Sequence, residues 1–215
     1  MPAAKPAKRK PRKPALRAAP IQDRAVQTRD RLLDIAGELL GEVGIERIST
    51  NMIASRAGVS PAALYRYFKD KYAVLEALGC RLMDRQNAVL FDWIEEHKAG
   101  GLEALGAATE ELLRLTAAIT DSEPGGVWIL RAMRAVPQLG HVRLESHNEV
   151  TDALLEAYAP LLPKMNKRVL WRRLRMTVEF GYAVDEMLHD DERFTRDDIF
   201  RDAAHLLSTS SLEDE

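Results

Sequence analysis

Apolar residues recur every three or four positions through most of the chain, which is the periodicity of amphipathic α-helices. Near the N-terminus this pattern covers residues 24–43, where Leu32, Ala36 and Leu39 share one face. Gly44 follows directly and is well placed to end a helix, because glycine adopts left-handed backbone conformations without steric cost. The pattern therefore predicts a first helix over residues 24–43.

Two short helices separated by a glycine turn are predicted next. Thr50 precedes a short run of apolar positions at helical spacing and is a good N-cap for a second helix. Gly58 interrupts that run, and Ser60 and Pro61 open a third helix. Serine caps free backbone amides, and proline at the first helical position lacks an N–H that would be unpaired anyway. The arrangement predicts a helix-turn-helix unit.

The third helix is predicted to have one buried and one outward face. Leu64 and Phe68 are four residues apart and are predicted to pack inward, with Tyr65 and Tyr67 flanking them. The outward face and its border are small first and basic further along, with Ala62, Ala63, Arg66 and Lys69. Such a face suits a major groove, where arginine pairs with guanine and tyrosine hydroxyls reach phosphates. An amphipathic helix with ordinary solvated charges is the alternative interpretation.

The remaining two thirds of the chain consist of further helical patterns divided by glycine and proline. The apolar stripes and breaks predict helices over residues 71–97, 102–119, 127–136, 141–158 and 167–188, and a last helix after Thr195. Asp198 stands three residues after Thr195, which resembles a capping box. The predicted fold class is all-α, with an N-terminal three-helix head joined to a larger C-terminal helical domain.

Composition and charge add an asymmetry to this picture. The chain has 46% hydrophobic and 30% charged residues, and it has a single cysteine, Cys80. Residues 1–20 contain seven basic residues and no acidic one, whereas residues 73–215 carry a net charge of −10. The predicted domains are a disordered basic arm (1–20), a helix-turn-helix head (21–72) and a larger helical domain (73–215). The arm is interpreted either as a solubilising tail or as a segment that touches DNA.

Candidates for catalysis are few. The sequence has no HExxH, GxSxG, GxGxxG or Walker A pattern, and its five histidines have no metal-ligand spacing. Cys80 is interpreted as a buried small apolar residue, with a redox role as the alternative. No apolar run approaches the roughly 18 residues of a membrane span. We therefore expect a cytoplasmic protein without enzyme activity, metal or cofactor.

Aromatic and sulfur-containing residues in the C-terminal domain are candidates for lining a ligand cavity, since such cavities are mainly apolar. These candidates, for which core packing is the alternative, are Trp93, Trp128, Met133, Trp171, Phe180 and Tyr182.

The stretch "RLLDIAGELLGEVGIERISTNMIASRAGVSPAALYRYFKDKYAVLEAL", from Arg31 to Leu78, combines these head features at fixed spacing. It resembles the tetracycline-repressor (TetR) family of bacterial transcription regulators. The informative positions are Ala36, Gly44, Thr50, Ile53, Ala54, Ala57, Gly58, Val59, Ser60, Leu64, Tyr65, Tyr67, Phe68 and Lys71. The resemblance covers under a quarter of the chain. It implies that the head (21–72) binds DNA and that the larger domain (73–215) binds a ligand and dimerises.

The resemblance implies roles for individual residues of the head. Thr50 would meet a phosphate, and Ala62, Ala63 and Arg66 would face bases. The DNA backbone would be held by Tyr65, Tyr67 and Lys71, with Asn51 and Ser60 on the same surface. Asn51 stands where family members often carry arginine, and Ala63 stands where threonine or serine is common.

The family likeness also implies a homodimer that binds a near-palindromic operator and responds to a small apolar or amphipathic effector, most often as a repressor. The dimer would pair the last two helices of each subunit through Leu174, Val178, Gly181, Ile199, Ala203 and Leu207. Completion of the monomer's own core is the alternative for these stripes. The rival functions are a helical protein-interaction adaptor and a small-molecule enzyme that uses the C-terminal cavity.

Overall fold

The computed structural model describes residues 19–190 and 192–207, and all the regular structure in these ranges is helical, which confirms the predicted fold class. Two short 3-10 turns, at Lys98–Gly100 and Pro137–Leu139, join some of the α-helices. The helices are α1 Ala19–Arg47, α2 Thr50–Ala57, α3 Pro61–Tyr65, α4 Lys71–His97, α5 Gly101–Ala107, α6 Thr109–Ser122, α7 Gly126–Ala135, α8 Gly140–Tyr158, α9 Lys167–Asp190 and α10 Arg196–Leu207. None of the described helices is long and apolar enough to cross a membrane.

The start of the chain differs from the prediction in three places. Helix α1 begins at Ala19, within the predicted arm, and residues 1–18 of that arm lie outside the described residues. Helix α1 also extends to Arg47, past the predicted end at residue 43, although Gly44, with a φ of 73°, interrupts its helical geometry. The N-cap of α2 is Ser49 instead of Thr50, because Ser49 is extended and its hydroxyl accepts the Met52 N–H.

The helix predicted over residues 102–119 is two helices, α5 and α6. The chain leaves helical geometry at Ala108, where φ is −88° and ψ is 3°. The Ala108 carbonyl accepts a hydrogen bond of 3.0 Å from the indole N–H of Trp93 on α4. This tertiary contact stabilises a break whose position the sequence does not mark, because the nearby Gly106 lies inside α5 and not at the break.

The head shares one apolar core with the helices that follow it. Leu33 from α1, Leu64 from α3 and Leu78 from α4 are fully buried in this core together with Met133 from α7. A second core joins α4, α5, α8 and α9, and a third joins α6, α9 and α10. Because α4 contributes to the first two cores, it connects the head physically to the larger domain.

The loop between α6 and α7 touches α1 at backbone distance. A Cβ added to Gly37 of α1 would lie 2.1 Å from the carbonyl oxygen of Pro124, and Gly125 beside it has a φ of 72°. The buried carboxylate of Glu123 in the same loop forms ion pairs with Arg81 and Arg85 of α4. The α6–α7 loop therefore contacts both α1 and α4, and these contacts form a joint between the head and the larger domain.

Candidate nucleic-acid interface and ligand cavity

The turn between α2 and α3 is set by Gly58. Its φ of 67° and ψ of 30° lie in the left-handed region. The N–H of Val59 bonds to the carbonyl of Ala54 at 3.0 Å, and the N–H of Gly58 bonds to that of Ser55 at 3.2 Å. This pair of bonds is a Schellman motif, which satisfies the last carbonyls of α2 and redirects the chain into α3.

Helix α3 starts as predicted and ends earlier than predicted. The Ser60 hydroxyl accepts the Ala63 N–H at 3.2 Å, and Pro61 is the first helical residue. The helix ends at Tyr65, so the predicted continuation through Lys69 is wrong. The N–H groups of Tyr67 and Phe68 both bond to the Leu64 carbonyl, a tightened turn that closes the helix before α4.

The outward surface of the head has the predicted character. Ala62, Arg66 and Asn51 are exposed, and Ala63 is partly exposed. Arg66 keeps helical φ and ψ of −71° and −23° just past α3. No residue in the described part of the chain pairs with its guanidinium group, which is therefore available to a ligand.

Three residues that are predicted to contact the DNA backbone also have contacts inside the protein. The hydroxyls of Tyr65 and Thr50 are 3.1 Å apart, so the end of α3 is tied to the start of α2. Tyr67 packs against the first core, and the Lys71 ammonium donates to the Ile45 carbonyl at 3.2 Å. Their DNA contacts stay predictions.

An ion pair that sequence reasoning missed also positions α2. Arg56 donates two hydrogen bonds, of 3.0 and 2.8 Å, to the Glu42 carboxylate on α1. This bidentate contact raises the pKa of Arg56 and lowers that of Glu42. The two residues are fourteen positions apart on different helices, so no local spacing announces them.

A cavity of about 110 Å³ lies among α4, α6, α8 and α9. It is smaller than the roughly 300–1,000 Å³ of drug-sized pockets. Its walls are mostly apolar, with polar groups from α4, α6, α8 and α9. The lining residues are Gln86, Asn87, Leu90, Trp93, Thr109, Leu112, Leu113, Thr116, Val150, Leu154, Tyr158, Leu174, Thr177, Val178, Gly181, Tyr182, Asp185 and Leu207.

Two of the six predicted ligand residues, Trp93 and Tyr182, line this cavity. The other four are corrections, because the structure places them elsewhere. Met133 is buried in the first core, and Trp128 is 41% exposed beside α1. Trp171 donates its indole N–H to Asp152 at 2.7 Å. Phe180 is 38% exposed, so its ring faces solvent in the protomer.

The predicted dimer stripe is corrected as well. Leu174, Val178, Ile199 and Ala203 are at most 7% exposed within one protomer, so their side chains offer no surface to a second one. Gly181 and Leu207 line the cavity together with Leu174 and Val178. The stripe followed the most apolar face of each helix, which is the face that the protomer itself buries. The same two helices expose Met176, Phe180, Met187 and Leu206 instead.

Buried titratable groups surround the cavity. His147 is fully buried and its ring stacks on Tyr182, with centroids 4.2 Å apart. Burial lowers the pKa of His147 to about 4, although Glu179 beside it favours the charged form. Burial raises the pKa of Tyr158 to about 12 and also raises the pKa of Asp185.

Cys80 is exposed, so its interpretation as a buried apolar residue is wrong. Partial desolvation and the nearby carboxylates of Asp84 and Glu76 raise the pKa of its thiol. A raised pKa lowers the thiolate fraction and with it the reactivity of the sulfur. Within residues 19–190 and 192–207, no group of three His, Cys, Asp or Glu residues could hold a metal ion.

Sequence comparison finds relatives that match the head. Residues 32–78 match the family described as bacterial regulatory proteins, tetR family. An HTH-type transcriptional regulator of Staphylococcus aureus is 47% identical over 47 residues, which are 22% of this chain and 25% of that protein. The class C tetracycline repressor protein of Escherichia coli is 46% identical over 51 residues, 24% of this chain and 23% of that one. The chain thus spans about a quarter of these curated relatives.

Comparison of structures extends the likeness to the whole fold. A TetR-family transcriptional regulator from Streptomyces coelicolor superimposes with a TM-score of 0.61 at 23% identity, covering 86% of this chain and 97% of that one. A proposed transcriptional regulator from Pseudomonas aeruginosa gives a TM-score of 0.71 at 16% identity, covering 87% and 92%. At these identities the likeness establishes the fold only.

Proposed function

Because residues 32–78 match the model of the TetR family, we propose that this chain is a transcription regulator that binds double-stranded DNA through α2 and α3. The observation that carries the proposal is the exposed end of α3. Ala62 and Ala63 let the helix approach base edges, and the unpaired Arg66 lies one turn further along the same surface. Arginine in this position can donate two hydrogen bonds to guanine in the major groove.

The proposed binding unit is a homodimer on a near-palindromic operator. Helix α3 has five residues and reads only a few base pairs. A second linked head makes the second contact effectively intramolecular, so affinity rises without a new kind of contact. The exposed apolar residues Met176 and Phe180 of α9 and Leu206 of α10 are the candidate contact surface, replacing the buried stripe.

In this proposal the chain acts in the cytoplasm as a repressor. A small apolar or amphipathic effector relieves the repression by binding in the cavity. Helix α4 lines the cavity with Leu90 and Trp93 and packs against the head with Val74 and Leu78. A shift of α4 would therefore move the head. An effector weakens DNA binding only by the difference between its affinities for the two positions.

Binding to DNA selected from a random-sequence pool tests the proposal. The full chain is the bait, and fluorescence anisotropy then compares the parent with Arg66→Ala. We expect Arg66→Ala to weaken the selected duplex roughly 5- to 150-fold and to relax the preference at one base pair. Arg168→Ala, an exposed arginine on α9, is the matched control and should leave affinity unchanged. Failure to select any sequence, or equal affinity of Arg66→Ala and the parent, would overturn the assignment.

A further inference from the structure

One end of the cavity is polar, and the hydroxyl of Thr120 hydrogen-bonds to two polar side chains there. Thr120 on α6 donates its proton to Oδ2 of Asp185 on α9 at 2.6 Å. The same oxygen accepts a hydrogen bond of 3.0 Å from Nε2 of Gln86 on α4. Because the one hydroxyl proton goes to Asp185, the lone pair on Thr120 is left for an N–H donor, which fixes the orientation of the Gln86 amide.

Gln86 and Asp185 each have one side-chain oxygen that accepts no hydrogen bond from the described residues. Gln86 is 2% and Asp185 is 5% exposed. Within the described part of the chain, neither Oε1 of Gln86 nor Oδ1 of Asp185 has a hydrogen-bond partner. An unpaired buried acceptor costs about 1–3 kcal/mol, and more when it is charged. A ligand that donates to both oxygens would remove this cost.

Several other polar groups of the cavity wall have hydrogen-bond partners. The hydroxyl of Thr109 donates to the Leu105 carbonyl of α5, and the hydroxyls of Thr116 and Thr177 donate to carbonyls of their own helices. Asn87 donates to Glu149 and accepts from Ser146. Among the described lining residues, the fully buried side-chain atoms without a hydrogen-bond partner are therefore the two acceptors of Gln86 and Asp185.

The charge at this end is also uncompensated. Asp185 is the charged side chain among the described lining residues, which include no lysine, arginine or histidine. The two basic side chains that act electrostatically on Asp185, His189 and Arg196, both bond to Asp121 instead, at 3.0 and 2.7 Å. A carboxylate or phosphate ligand would meet repulsion here, whereas a cation would meet an unpaired carboxylate.

We propose that the cavity selects effectors that carry a cationic hydrogen-bond donor, a protonated amine or amidine, on an apolar body. Asp185 supplies the charge, Gln86 supplies the second acceptor, and Thr120 holds both in place. Leu90 and Trp93 pack against the apolar body. This inference rests on the proposed function, in which the cavity is the effector site.

Thermal unfolding of the full chain with matched small ligands tests the proposal. One-ring compounds are the closest match in size, since the cavity of about 110 Å³ is somewhat smaller than engineered apolar cavities of about 150 Å³ that hold benzene. The probes are benzylamine and 2-phenylethylamine, their alcohols benzyl alcohol and 2-phenylethanol, and the carboxylates benzoate and phenylacetate. Ligand that binds the folded state raises Tm in proportion to the logarithm of its concentration over Kd. We expect amines to bind roughly tenfold or more tightly than the alcohols, and carboxylates to bind weakest.

Asp185→Asn keeps the shape and the Thr120 contact but removes the charge, so it should abolish the preference for amines over alcohols. Gln86→Met is a second variant that should weaken amines and alcohols alike by removing one acceptor. The control Asp84→Asn removes an exposed carboxylate on α4 that does not line the cavity and should retain the parent's preference.

The proposal is overturned if alcohols or carboxylates stabilise the chain as much as amines, if no probe raises Tm, or if Asp185→Asn still prefers amines. The same samples are assayed for binding to the selected DNA. A chain that binds DNA without an amine preference refutes this inference alone. An amine preference in a chain that binds no specific DNA refutes the proposed function and leaves the cavity chemistry standing.

Discussion

Substitution of Gly37 tests the joint between the head and the larger domain. A methyl group at this position would lie 2.1 Å from the Pro124 carbonyl oxygen and 2.9 Å from its carbonyl carbon, both backbone atoms. Real Cβ atoms do not approach backbone this closely, so α1 or the α6–α7 loop must move. Gly37→Ala should therefore move α1 and the α6–α7 loop apart and alter the position of the head.

Gly41 provides a matched control one turn along the same helix. A Cβ there would lie 3.5 Å from Cδ1 of Trp128, which is ordinary van der Waals contact. Both alanine variants gain about 1 kcal/mol from helix propensity. Gly37→Ala also incurs an overpacking cost of about 1–3 kcal/mol. The propensity gain cancels in the comparison, so Gly37→Ala should be about 1–3 kcal/mol less stable than Gly41→Ala.

Urea unfolding followed by circular dichroism measures this difference. In thermal unfolding it corresponds to a lower Tm by roughly 2–12 °C for a chain of this size. Affinity for the selected duplex should also fall in Gly37→Ala and stay unchanged in Gly41→Ala, because the head is displaced in the former only. If the two variants are equally stable, the backbone contact between α1 and the α6–α7 loop is wrong.

Three further predictions concern charge and association. Burial lowers the pKa of His147 to about 4, from about 6.5 in the unfolded chain. The contribution of His147 to the free energy of unfolding is therefore complete above pH 6.5, and it falls by about 3 kcal/mol as the pH drops to 4. Urea titrations should show this loss in the parent and in His141→Gln, and its absence from His147→Gln would confirm the source. Glu123→Gln should cost about 1–3 kcal/mol in thermal unfolding, because the buried end of Arg81 loses its charged partner; an unchanged Tm contradicts this. Phe180→Glu should convert a dimer to monomer in sedimentation while the helical circular dichroism spectrum stays that of the parent, and an intact dimer would place the interface elsewhere.

Local signals in the sequence predicted the local features well. The start of α3 at Ser60 and Pro61 and the bounds of α4 follow from capping and periodicity, which involve neighbouring residues only. The cap of α2 was misplaced by one residue, since Ser49 and Thr50 are both good caps and only the backbone conformation chooses between them.

Features that depend on tertiary contacts could not be predicted from the sequence. The break at Ala108 is stabilised by an indole from another helix, and Gly106 two residues earlier does not by itself fix where the helix ends, since it lies inside α5. The dimer stripe failed because periodicity identifies the most apolar face without saying whether the same chain covers it. The polar end of the cavity joins Gln86 and Asp185, which are far apart in sequence and meet only through Thr120.

The central claim, that the head reads a DNA sequence, is tested most directly by a ratio of two affinities. Fluorescence anisotropy of the full chain compares the selected duplex with a scrambled duplex of the same composition at about 0.15 M salt. The account predicts at least about 10³-fold tighter binding to the selected duplex. Equal affinities, or no salt-dependent binding to either duplex, would contradict it and favour a helix-turn-helix that packs on protein.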